Sequence, residues 1–313
     1  MIYLRLIRWQ NLLIIALTQY MTRYFLIQPF YKLQQLQLQL SDFDFFLLVL
    51  TTVIIAAGGY IINDYFDLKI DPINKPDKLI LGNKISATKA ETAYYIINAI
   101  AVGIGVYLGY KVGSISIGLL FMVFATVLYF YSLKYKMLLL WGNLAVSLLS
   151  AFTVIIVWLF EFFAIHNNPL IFAQGINAYW GITYFVLAYA LFAFLTTFIR
   201  EIIKDIEDIE GDRRWGCTTL PIVAGIPVAK KVAAAIAVVS IIIIVWFQYV
   251  LKEINHGYVA ALLVIVVQVP LAFLTYKIMN AKVKEDFHFV SNAAKIIMVL
   301  GILTMFAIFK STF

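Results

Sequence analysis

The sequence predicts an all-α protein that crosses a membrane many times. Of its 313 residues, 63% are apolar and 13% charged, whereas soluble chains carry ~25% charged residues. The apolar residues also fall into runs long enough to span a bilayer, which takes ~20 residues of helix. A third observation sets the orientation: lysines and arginines gather in alternate connections between those runs.

The first run, near 11–30, follows a basic start, MIYLRLIRWQ, and is interrupted by Gln19 and Arg23. No small-residue cleavage site follows it, so it reads as a helix rather than a leader. The second and third runs, 43–63 and 90–109, flank a long polar connection. The fourth, 114–132, comes after only the turn Gly109-Tyr110-Lys111-Val112-Gly113. Runs at 139–162, 179–200, 230–250, 256–276 and 290–310 complete nine. Strands are excluded because lipid cannot satisfy an open backbone edge. No domain boundary is visible, so residues 1–313 read as one domain.

With the N-terminus inside, Arg5, Arg8, Lys69, Lys75, Lys78, Lys84, Lys89, Lys134, Lys136, Arg200, Lys204, Arg213, Arg214, Lys230, Lys231, Lys277, Lys282 and Lys284 share one side. Arg23, Lys32, Lys111, Lys252 and Lys310 share the other. The positive-inside rule then puts the N-terminus in the cytoplasm and the C-terminus outside, in the cell membrane. The net charge of +7 needs only the anionic leaflet as its partner. Neither a nucleic acid nor an obligate protein partner is called for. The single cysteine, Cys217, allows no internal disulfide, and His166, His256 and His288 are scattered. A metal ion would therefore have to be held by carboxylates. Glu161 and His166 are expected to face water at the outer end, Arg23 to snorkel there, and Cys217 to be incidental. Lys295 is expected either to snorkel inward or to reach the interior.

More than half of the seventeen acids fall in two stretches. Asp64, Asp67 and Asp71 stand at i, i+3 and i+7 after the second run, and Asp205, Asp208 and Asp212 repeat that spacing after the sixth. On a helix these positions return to one face. The equal spacing reads as an internal, parallel duplication. Carboxylates stacked near lipid repel and resist desolvation, so something positive should offset them. Mg²⁺ suits such a site, since it joins one or two carboxylates to substrate phosphate oxygens. Two facing stripes could then hold a diphosphate, with Asp64, Asp67, Asp205 and Asp208 as its catalytic core. An apolar, lipid-accessible site beside it suits a polyisoprenoid diphosphate donor and a lipid-soluble acceptor. Lys75, Lys78, Lys134, Lys136, Arg200 and Lys204 are the cations nearest in sequence. Tyr60, Tyr65, Phe66, Tyr129 and Tyr131 are candidates for an electron-rich wall around an allylic cation.

The segments NDYFDLKIDPINKPDK and KDIEDIEGDRRWGCTTLP resemble the two acidic motifs of the UbiA-type intramembrane prenyltransferases. The resemblance implies nine helices around a central chamber, with Mg²⁺ and the prenyl diphosphate held by Asn63, Asp64, Asp67, Asp71, Asp205, Asp208 and Asp212. It also implies that Asn11 faces the chamber and that the basic loop at 131–136 brings Lys134 to the diphosphate. Many family members carry an Arg-Pro pair where this chain has Lys78-Leu79, so the bidentate fork of arginine is lost there. The form of the second motif is similar to the digeranylgeranylglyceryl-phosphate synthase-like subgroup, which implies an acceptor such as geranylgeranylglyceryl phosphate. An aromatic, quinone-type acceptor is the alternative within the family. A secondary transporter with acidic cation sites is the alternative outside it, but transporters place such acids near the midplane.

Overall fold

Apolar runs in lipid satisfy their backbone as helices, and helices dominate the computed structural model, which describes residues 2–74, 79–82, 84–253 and 257–312. The chain opens with α1 (Ile2–Leu6) and α2 (Trp9–Met21), then a π-helical stretch (Thr22–Ile27) and α3 (Gln28–Leu33). Next come α4 (Asp42–Phe66), the short α5 (Asp71–Asn74), α6 (Ala87–Lys111), α7 (Ile115–Gly118), α8 (Leu120–Leu133) and α9 (Trp141–His166). The second half holds α10 (Pro169–Glu207), the short α11 (Ile209–Arg214) and α12 (Leu220–Val223), and α13 (Ile226–Glu253). It closes with α14 (Gly257–Leu263), α15 (Val269–Asn280) and α16 (Lys284–Thr312). Among the described residues, eight helices are long and apolar enough to cross a membrane, counting α7 with α8 and α14 with α15 as one each.

The first predicted run is the one not counted. It is helical from Trp9 to Leu33 but passes through the π-helical stretch. Pro29 comes two residues after that stretch. Proline has no N–H and its ring presses on the carbonyl four residues back, which a wider turn relieves. The same pairing recurs at Val264–Gln268, just before Pro270.

Helix starts follow local chemistry. Ser41 accepts from the Asp44 backbone N–H at 3.0 Å and caps α4, with Asp42 and Asp44 in its first turn, where the helix dipole favours acids. Asn168 caps α10 with Pro169 at the first helical position. That signal starts the helix ten residues before the predicted 179. Asp286 accepts from Lys282 and Val283 N–H at 2.8 and 3.2 Å and starts α16 before the predicted 290.

The long α9 and α10 pack together at the centre, and α10 also packs on α13 and α16, while α4 lies against α6 and α8. Small residues permit the closest contacts. A Cβ at Gly118 would lie 2.3 Å from the Gly105 carbonyl oxygen, so α6 and α7 meet backbone to backbone.

The end of the bundle away from the acids corrects two expectations. Arg23 and Glu161 do not face water; each is 1% exposed. Arg23 donates to the Leu40 carbonyl and stacks 4.3 Å from the Phe45 ring. Glu161 accepts from the Gln39 backbone N–H. Both pin the connection between α3 and α4, whose backbone groups need partners once buried. His166 is exposed, as expected.

Candidate active site

The two acid stretches fold alike, though not as straight helices. α4 carries Asn63 and Asp64 and ends at Phe66. Asp67 then sits at φ −84°, ψ 0° and starts a 3₁₀ turn, and Asp71 opens α5. α10 carries Asp205 and ends at Glu207; Asp208 sits at φ −98°, ψ 7°, and Asp212 lies on α11. In both, the helix breaks at the second acid. Pro72 gives one reason, because it cannot donate to the Leu68 carbonyl and so stops α4 from continuing. The repeat read in the spacing is thus a repeat of backbone geometry. α5 packs on α11, which sets the two stretches facing each other at one end of the bundle.

Between them opens a cavity of about 330 Å³. Its acid-bearing end is lined by Asn63, Asp67, Asp71, Asp205, Asp208 and Asp212 with the cations Lys136 and Lys204, and Arg8, Arg200 and Glu201 line the cavity as well. Further in, the walls are apolar and include Ile55, Phe121, Phe124, Leu128, Ile156, Ile302 and Met305.

The polar side chains there hold one another. Lys136 Nζ lies 2.6 Å from Asp67 Oδ1 and 3.1 Å from Asn63 Oδ1, and Asn63 donates to the other Asp67 oxygen at 2.9 Å. Arg8 reaches Asp64 at 2.8 Å and covers the Tyr60 ring at 4.8 Å. Asn143 donates to Asp205 at 2.8 Å. Buried Glu201 takes Arg200 at 2.7 Å and Lys204 at 3.4 Å. Asn11 donates to the Tyr60 hydroxyl at 3.1 Å and lines the cavity, as expected of it.

Several expectations change. Lys134 is exposed and does not line the cavity; Lys136 does. At Lys134 the backbone leaves α8 for a 3₁₀ turn over Tyr135–Met137, and that turn directs the second lysine inward. Asp64 stands beside the cavity wall, not on it. Of the proposed aromatic wall, Tyr60 and Tyr131 line the cavity. Tyr65, Phe66 and Tyr129 instead cluster with one another, and Tyr129 packs near Tyr94. Lys75 and Lys78 lie outside the described residues. The reading of the residues missed Arg8, Asn143 and the pairing role of Glu201. A basic or amide residue at a helix start, as at Arg8 and Asn143, was the available signal. Cys217 also lines the cavity, and burial, reinforced by the Asp212 charge, pushes its thiol up to about 11.

No three His, Cys, Asp or Glu side chains among the described residues converge tightly enough to hold a metal by themselves. Magnesium asks for less: one or two carboxylates, with phosphate oxygens and water completing the shell. Each stretch offers carboxylates of that hard-oxygen type on the cavity wall. The donor set fits an ion shared with a diphosphate and not a closed protein cage.

Known proteins share the sequence pattern and the fold. The model of the UbiA prenyltransferase family matches residues 36–293. A digeranylgeranylglyceryl phosphate synthase of Methanosphaera stadtmanae is 32% identical over 251 residues, covering 80% of this chain and 82% of that one. That of Methanothermobacter thermautotrophicus is 32% identical over 200 residues, covering 63% of each. That of Ignicoccus hospitalis is 35% identical over 191 residues, covering 60% of this chain and 56% of that one. The match thus spans less than two thirds of the length of these last two relatives. Among solved structures, one concerned with digeranylgeranylglyceryl phosphate synthase in membranes superposes with TM-score 0.61 at 25% identity, covering 99% and 97% of the two chains. A UbiA homolog from Archaeoglobus fulgidus bound to DMAPP and Mg²⁺ shares the fold, with TM-score 0.60 at 17% identity over 99% of each chain. With the family model matching most of its length and a relative matched over four fifths of both chains, the chain belongs to the UbiA prenyltransferase family.

Proposed function

We propose that this protein transfers a polyisoprenyl group from a prenyl diphosphate to a lipid-soluble acceptor, geranylgeranylglyceryl phosphate, with Mg²⁺, at the cytoplasmic face of the cell membrane. The observation that carries this reading is the meeting of two matching acid-bearing breaks at one end of an apolar cavity. The relatives named as digeranylgeranylglyceryl phosphate synthases support the acceptor. The positive-inside pattern supports the orientation.

Asn63, Asp67, Asp71, Asp205, Asp208 and Asp212 would hold the metal, with Asp64 beside them on Arg8. Bound there, magnesium supplies Lewis-acid stabilisation to the departing diphosphate. Lys136 and Lys204 add positive charge to the same end of the cavity. The C1–O bond of the donor breaks, and its electron pair leaves with the diphosphate. The acceptor hydroxyl oxygen bonds to C1, and its proton passes to the released diphosphate. Tyr60 and Tyr131 face the developing allylic cation. The apolar wall excludes water, which would otherwise capture that cation.

The test is transfer of radiolabelled geranylgeranyl diphosphate in membranes expressing the chain, with and without Mg²⁺. Geranylgeranylglyceryl phosphate and 4-hydroxybenzoate are offered separately. Magnesium-dependent product from the first acceptor, lost in Asp67→Ala and Asp208→Ala, is the expected result. Product from 4-hydroxybenzoate alone would move the acceptor to the aromatic class. Absence of donor binding would remove the whole reading.

A further inference from the structure

The cations of the cavity are not equivalent. Arg8 has Asp64 at 2.8 Å, Lys136 has Asp67 at 2.6 Å, and Arg200 and Lys204 share Glu201. Lys295 lines the same cavity from α16, on a stripe with Met298, Ile302 and Met305. These positions recur at helical spacing and so face one way. Lys295 is half-buried and has no hydrogen bond or ion pair among the described residues. α10 and α16 pack side by side, with Tyr189 on Thr304 and Phe192 on Gly301, a register that brings Lys295 level with Thr197 and Arg200. Arg200 in turn uses Nη1 on Glu201 and keeps a buried Nε–H with no partner.

Glu201 already takes Arg200, and Lys295 stands beside that pair as a half-buried cation with no partner among the described residues, which is costly to desolvate. An anion between Lys295 and the unpartnered Arg200 Nε–H removes that cost. The donor diphosphate is poorly placed to be that anion. Arg200 precedes Asp205 by five residues and the α10 C-cap Asp208 by eight, a rise of ~8 to 12 Å, so it lies below the acid end. A second anionic group belongs there. We propose that Lys295 and Arg200 receive the phosphate of the acceptor lipid, making Lys295 the residue that selects a phosphorylated acceptor over a neutral one. This rests on the prenyl-transfer reading above. A short glycerol unit joins that phosphate to the nucleophilic hydroxyl. A phosphate on the cation pair therefore sets the hydroxyl between the pair and the acids, where C1 of the donor must lie. Thr197, one turn before Arg200, and Ser150 line the cavity beside them, with their hydroxyls 2.9 Å apart. They offer neutral hydrogen bonds to the glycerol.

The experiment compares wild type, Lys295→Gln and Lys295→Arg in liposomes with geranylgeranyl diphosphate and Mg²⁺. Geranylgeranylglyceryl phosphate and its dephosphorylated alcohol serve as acceptors. Wild type is expected to prefer the phosphorylated acceptor. Lys295→Gln should raise KM for that acceptor about 10- to 100-fold, the range for losing a charge-assisted hydrogen bond, and so erase the preference. KM for the donor should stay put, and Lys295→Arg should restore most of the preference. A rise in donor KM alone would assign Lys295 to the diphosphate and overturn the proposal. Equal losses on both acceptors, the mark of a structural role, would overturn it too, as would no change. If wild type makes no product from either acceptor, the prenyl-transfer reading fails separately. Direct binding of the phosphorylated acceptor to wild type and Lys295→Gln then decides the proposal, and equal binding sinks it.

Discussion

Replacing Lys136 by glutamine separates the structure from the sequence pattern most sharply. Lys136 makes two polar contacts, at 2.6 and 3.1 Å, and both it and Asp67 are mostly screened from solvent, with side chains 15% and 14% exposed. A hydrogen bond between charged groups contributes about 1.5–3 kcal/mol, and each 1.4 kcal/mol is a factor of ten. Lys136→Gln should therefore lower kcat/KM for the prenyl diphosphate by roughly 10- to 100-fold. It leaves Asp67 with the Asn63 amide as a remaining partner, so the fold should survive with a lowered melting temperature. Lys134 is exposed and does not line the cavity. Lys134→Gln should stay within about twofold of wild type, as surface changes usually cost less than ~0.5 kcal/mol. The assay is magnesium-dependent transfer in liposomes at varied donor concentration, with melting temperature measured alongside. Equal effects of the two substitutions, or a larger effect at Lys134, would refute the placement of the basic loop.

Gly118→Ala would push a methyl into the Gly105 carbonyl; such overpacking costs about 1–3 kcal/mol, and a lower melting temperature in detergent checks it. Glu161→Ala would leave the Gln39 backbone N–H without its acceptor beside a buried site, where an unsatisfied polar group costs about 1–3 kcal/mol; Glu161→Gln should cost less, and comparing the two by thermal unfolding tests the contact. The Cys217 thiol, raised to about 11, should alkylate slowly at neutral pH and faster as pH climbs. An unfolded thiol ionises near ~8.5, so above that value the unfolded state loses its proton first. Stability should then fall as pH rises from there toward 11, and less so in Cys217→Ala.

The helices were readable because lipid leaves a long apolar run no other form. Ends were readable where a cap was visible, as at Asn168-Pro169, and were lost when hydropathy alone was followed. The acid stripes were legible through their spacing, yet spacing along a chain does not report the break at Asp67 or Asp208. For the same reason it could not choose between Lys134 and Lys136, which a single tight turn sends in different directions. Arg23 and Glu161 misled because an ionisable residue near a helix end usually finds water. Here the connection at 34–41 folds back over them and supplies backbone partners instead.

The close approach of α6 and α7 also bears on how the protein is made. Only Val112, Gly113 and Ser114 separate the two helices, and their contact at Gly105 and Gly118 is local in sequence. Contacts of that kind close quickly because little chain must be ordered first. The stretch from Ala87 to Leu133 can thus leave the ribosome and enter the bilayer as one hairpin, complete before the later helices are synthesised. The carboxylates on α10 would then join a first half that has already set, and their partner surface would be waiting when they are translated.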